Sequence, residues 1–194
     1  ARRGEIARAR ELWSGVWQSG LHEPALAARL VWADLQMGDV GRATAWALRG
    51  RRVGPRDPAL EWIAARAREA GGLIGAPLER WPVRRVEWSI ASLVLAIGAG
   101  LAWPRRAPAL VLIGIALAAA AIPELETIAI ANRPLAVVAK SCALGAGGLE
   151  LQPGQVVRIT GSGPAGVEVR AGEEKGRVPA DAIEPVAAGP GRIS

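Results

Sequence analysis

The chain has 194 residues, a net charge of +6, one Cys, one His, eight Trp, and neither Phe nor Tyr. A single cysteine excludes an internal disulfide and any cysteine-based zinc site, and a single histidine leaves little for a triad or a metal centre. Residues 1–87 carry 15 Arg against ten Asp or Glu, but these charges interleave, which reads as a solvated helix face rather than a nucleic-acid stripe.

Residues 1–20 read as an amphipathic helix, with Ile6, Ala9, Leu12, Trp13, Val16 and Trp17 at spacings of three and four. Pro24 opens a second helix that Gly38 ends, and Asp39 caps a third that Gly54-Pro55 stops. Asp57-Pro58 starts a fourth, which closes at Gly71-Gly72. Residues 73–85 form a linker broken by Gly75, Pro77 and Pro82. Residues 86–131 then hold two apolar runs around Pro104-Arg105-Arg106-Ala107-Pro108, and no charge lies in 88–103 or 109–122.

A membrane helix takes roughly 17–25 apolar residues, so these runs predict a two-helix transmembrane hairpin. Arg80, Trp81, Arg84, Arg85, Trp88, Trp103, Arg105 and Arg106 would mark its interfaces. Ser92, Ala96 and Gly100, with Gly114 and Ala118, would pack its helices through small side chains. The arginines on the two sides of the first run argue for opposite orientations. A pair of helices buried in a core, without membrane contact, is the alternative.

From 132 to 186 the period shortens to that of strands, placed at 135–139, 155–160, 166–170, 176–179 and 183–186. Cys142 to Gln152 reads as a Gly-rich loop, Ala180-Asp181-Ala182 as one tight helical turn, and 187–194 as a flexible tail. The expected fold class is thus α+β and multidomain, with a helical domain over 1–72, a membrane hairpin and a small β-barrel.

Three resemblances follow from these residues. Gly38, Asp39, Ala43 and Pro55 fall at the spacing of a tetratricopeptide repeat, which the helical domain resembles over about residues 24–57. Gly176-Arg177-Val178-Pro179-Ala180-Asp181-Ala182-Ile183 resembles the ending of a bacterial SH3-like barrel, with Arg177 where that family places tryptophan. Repeat, hairpin and barrel in that order resemble the BatE-type proteins of bacterial aerotolerance operons. That resemblance implies a non-catalytic, membrane-anchored scaffold of an envelope complex. It implies partners with von Willebrand factor A domains and a MoxR-type ATPase, and a two-pass place in the inner membrane with both soluble parts outside the cytoplasm.

The second reading is an accessory structural subunit of a large membrane assembly, respiratory or photosynthetic. Other membrane or envelope proteins and the bilayer are the expected partners. No cofactor, small-molecule substrate, nucleic acid or enzymatic activity is expected. His22 reads as a loop residue, Cys142 as a small core residue, and Gly145-Ala146-Gly147-Gly148 lacks the lysine of a phosphate loop.

Overall fold

The computed structural model describes residues 2–76, 85–101, 110–121, 134–145, 148–163 and 166–186. The chain divides into two compact units, one of residues 1–79 with 133–194 and one of residues 80–132.

The first unit begins with four helices: α1 (Arg2–Gln18), α2 (Pro24–Met37), α3 (Val40–Val53) and α4 (Pro58–Glu69). Their ends are written in the sequence. Gly38 takes a left-handed φ of 79° and its N–H closes α2, a conformation that costs other residues more. The Asp39 carboxylate accepts from the Arg42 N–H at 3.0 Å, and Asp57 accepts from the Leu60 N–H at 2.9 Å. Both satisfy donors that a helix start leaves open. α2 packs on α1, α3 and α4. Ala27, Ala43, Ala45, Ala47, Ala64 and Ala67 are buried at the crossings.

The strands are β1 (Leu135–Val138), β2 (Cys142–Leu144), β3 (Leu149–Leu151), β4 (Val156–Gly163), β5 (Gly166–Ala171), β6 (Glu174–Val178) and β7 (Ile183–Pro185). Five of them form an antiparallel sheet in the order β6-β5-β4-β1-β7. A 3₁₀ turn at Ala180–Ala182 leads into β7. The stretch 142–152, expected to be a loop, contains the β2–β3 hairpin, paired from Cys142↔Leu151 to Leu144↔Leu149. Three-residue strands are too short to show a period of two, so the glycines dominate the sequence signal.

Helices and sheet share a core through β1. Ala136 and Val138 pack into the sheet's own core, while Val137 packs among the helices. Val156 and Val186 also reach the helical core, and Val157 and Ile183 reach the other. Both faces of β1 are therefore buried, which is why Leu135-Ala136-Val137-Val138 is a continuous apolar run and not an alternating one. α3 packs against β1 and β7. The segment after α4 joins the sheet as well: the Val156 N–H donates to the Ile74 carbonyl at 2.8 Å.

The second unit holds α5 (Arg85–Leu101) and a helix over residues 110–121, designated α6. Here the structure corrects the expected transmembrane hairpin. Among the described residues no helix is long and apolar enough to cross a membrane. α5 has 17 residues and carries Arg85 and Glu87 in its first turn, so its uncharged part spans about 21 Å at 1.5 Å per residue. The described part of α6 spans about 18 Å by the same rise. A hydrocarbon core is about 30 Å thick. The two-pass inner-membrane placement, and the orientation argued with it, fall with the spans.

Candidate interaction surfaces

Two features of the helical layer present chemistry to solvent. Trp62 on α4 is 60% exposed, with the Arg66 guanidinium 5.6 Å from its ring centroid. Trp32, on the neighbouring α2, is 41% exposed. Indole rings are large and mostly apolar, so leaving two of them partly wet forgoes burial worth on the order of 1 kcal/mol each. The helical spacing does not single out Trp32 or Trp62 for a surface role.

The other tryptophans of α1 and α3 do structural work. Trp17 and Trp46 are buried, with ring centroids 5.5 Å apart at 76°, an edge-to-face geometry. The His22 ring lies 4.8 Å from that of Trp17, so the loop histidine is packed on the helix it follows. The Arg49 guanidinium sits 4.6 Å from the Trp46 centroid. From there Nη1 reaches Glu184 Oε1 at 3.0 Å and Nη2 donates to the Pro185 carbonyl at 2.7 Å. One side chain thus ties α3 to β7.

Asp34 is the most unusual ionisable group described. Its side chain is fully buried, with Arg10 Nε 2.7 Å from Oδ1. Neither carboxylate oxygen has an aligned hydrogen-bond donor among the described residues. Burial raises its pKa from 3.8 to about 7, against the opposing pull of Arg10.

The repeat-turn residues do not gather at one place but mark the two ends of α3. Gly38 and Asp39 form the cap pair, Ala43 is fully buried, and Pro55 lies in the turn before α4. In the second unit the Ser92 hydroxyl donates to the Ala116 carbonyl at 3.0 Å. Ser92, Ala96 and Ala99 face Ile113, Ala116 and Ala120 across a shallow apolar groove. Gly114 and Ala118 lie on the exposed side of α6 instead. Alanines at 116, 118, 119, 120 and 121 offer several stripes at a spacing of three or four, so composition alone could not choose between them. Gly100 lies within α5.

Of the residues expected at a membrane interface, Trp88 is half-buried on α5. Arg80, Trp81, Arg84, Trp103, Arg105 and Arg106 lie outside the described residues, as do the side chain of Arg85, Glu124 and Glu126, and the expected tail. The outer faces of α5 and α6 leave Ile90, Leu93, Val94, Ile97, Leu101, Leu110, Val111, Ile115 and Leu117 about half exposed or more.

Reactive chemistry has little foothold among the described residues. No group of three His, Cys, Asp or Glu is placed to hold a metal ion. Burial, and then the charge of Asp181, pushes the Cys142 thiol pKa up, which disfavours the nucleophilic thiolate. Arg177 is exposed on β6. No family model, curated protein or solved structure matches the chain.

Proposed function

We propose that this chain is a non-catalytic docking module that recruits a protein partner through its helical layer. The observation that carries the reading is the pair of exposed tryptophans, Trp32 on α2 and Trp62 on α4, the latter with Arg66 over its ring. Tryptophan and arginine dominate the energetics of protein interfaces. The fused sheet supports the role by holding α3, and through it the α2–α4 layer, in one orientation. A rigid platform loses less entropy on binding. The BatE-type resemblance, reduced to its repeat-like helices and small sheet domain without the membrane hairpin, supplies the partners to try first: a protein with a von Willebrand factor A domain and a MoxR-type ATPase.

A second reading, a permanent structural subunit of a larger assembly, is favoured by one specific observation. The second unit exposes nine large aliphatic side chains on its two helices, and clustered exposed apolar groups mark interaction surfaces.

The test is a binding titration of the purified chain with those two partners, beside a Trp32→Ala/Trp62→Ala variant. Docking through the helical layer predicts a loss of affinity of roughly 30-fold per hot-spot tryptophan, at about 2 kcal/mol each. Unchanged affinity in the double variant contradicts it. Recovery of the chain from its source only in a particle of fixed, salt-resistant stoichiometry moves the assignment to the structural subunit.

A further inference from the structure

Val157, Val167, Val169 and Val178 belong to the sheet's own core. Side chains alternate along a strand, so Arg158, Glu168, Arg170 and Arg177 stand on the opposite face, and all four are exposed. The register then lines up like charges. Arg158 on β4 stands opposite Arg170 on β5, and Arg170 stands opposite the exposed Lys175 on β6, at the sheet's edge. On its other side Arg158 meets Leu135, which is part-buried against the helical core. The row therefore holds three cations in succession and no acid. Like charges directly opposite each other on neighbouring strands are destabilising. Among the described residues, none of the three side chains has an ion pair or a hydrogen bond to offset that cost.

We propose that this face of β4, β5 and β6 docks an acidic segment of a partner protein, with Arg158, Arg170 and Lys175 taking its carboxylates. The surface is carried by strands and not by α2 and α4, so it stands or falls independently of Trp32 and Trp62. Strands lie about 4.8 Å apart, which gives the row a span of about 10 Å. Carboxylates on alternate residues of an extended peptide lie about 7 Å apart, so two of them fit along it. Each arginine can grip a carboxylate through two parallel N–H donors.

Other polyanions match the face less well. Single-stranded nucleic acid is held by aromatic stacking as well as by charge, and no aromatic residue follows Trp103. A duplex or an anionic bilayer spreads negative charge over a wider area. It would bring that charge onto Glu168, two residues from Arg170 on β5, and onto Glu173 in the turn before β6. The Glu168 carboxylate leans over Gly161 of β4, so it flanks the row on the same face. A peptide can set its carboxylates on the row and leave both acids uncovered.

Fluorescence anisotropy of the full chain with a labelled peptide of alternating Glu and Ser, at low and at physiological salt, tests the surface. The peptide should bind, and binding should weaken as salt is raised. Arg170→Gln and Lys175→Gln should each lower the affinity about fivefold, and Arg170→Glu should abolish binding. Arg29→Gln, which removes one exposed charge from α2, should leave the affinity as it is, and so should the Trp32→Ala/Trp62→Ala variant. Failure of the peptide to bind overturns the proposal, as does binding that Arg170→Glu and Lys175→Gln both leave unchanged. Tighter binding of a thymidine oligonucleotide, or of phosphatidylserine vesicles, than of the peptide also overturns it.

Discussion

A methyl group added at Gly41 tests how closely the helices and the sheet approach each other. Gly41 lies in the first turn of α3. A Cβ built there would stand 2.7 Å from the Ala139 Cα, 2.8 Å from the Val138 carbonyl oxygen and 3.0 Å from that of Ala139. All three are backbone atoms, so no rotamer change relieves them. Ordinary contact begins near 3.4 Å, so α3 and β1 must part by about 0.7 Å. The same seam holds Gly154, with φ of 88°, whose own Cβ would meet the Gly72 Cα at 2.7 Å. Parting it also loosens Val137, Val156 and Val186 against the helical core. A gap of that size forfeits a quarter to a half of each contact's dispersion energy, and overpacking of a core costs about 1–3 kcal/mol.

The opposing gain is small. Replacing Gly by Ala in a helix is worth at most about 1 kcal/mol, less in the first turn. Gly41→Ala should therefore destabilise the protein by about 1–2 kcal/mol. Gly15→Ala in α1, where none of the described residues lies within 4 Å of the added methyl, should stabilise it by about 0.5–1 kcal/mol. Urea unfolding of the two variants beside the parent chain reads both signs. A Gly41→Ala protein as stable as the Gly15→Ala one would refute the close seam.

Three further outcomes are expected. Arg49→Ala removes the Glu184 pair, the bond to the Pro185 carbonyl and the contact with Trp46, and should cost about 2–3 kcal/mol by urea unfolding; Arg49→Lys, which keeps charge but not the fork, should recover only part. Asp34 has a folded pKa of about 7 against 3.8, so its contribution to stability is complete below pH 4 and lost as pH rises through 7. Asp34→Asn should then match the parent near pH 4 and exceed it above pH 8, and parallel unfolding curves at the two pH values check it. Asp39→Ala removes the cap of α3 and should lower stability by about 1 kcal/mol, visible as a Tm drop of a few degrees.

Much of the helical layer was legible because its punctuation is chemical. Pro24, Gly38, Asp39, Asp57 and Pro58 act through local backbone rules that need no tertiary context; α2 begins and ends at them, and α3 and α4 begin at them. The strands from Val156 onward were legible for a similar reason, since turn glycines separate β-branched runs. Contacts across the chain were not. Val137 serves the helices while its neighbours Ala136 and Val138 serve the sheet, and only the assembled seam shows the division. Arg49 looked like one more surface arginine because its partners lie 135 and 136 residues away. The apolar runs of α5 and α6 carry the composition of membrane helices without, among the described residues, their length. The exposure of Trp32 and Trp62 was not legible either, since it depends on which face of each helix meets a neighbour.

The central claim is that α2–α4 and the sheet act as one rigid platform, and native-state hydrogen exchange of the full chain tests it most directly. The amides to compare are those of α3 and of β1, such as Val138, which donates to the Gln155 carbonyl at 2.9 Å. A single platform predicts the same opening free energy in both elements, and an equal fall in both when Gly41 becomes Ala. Opening of β1 that is unequal to that of α3, or unmoved by Gly41→Ala, would contradict it and leave two independent modules.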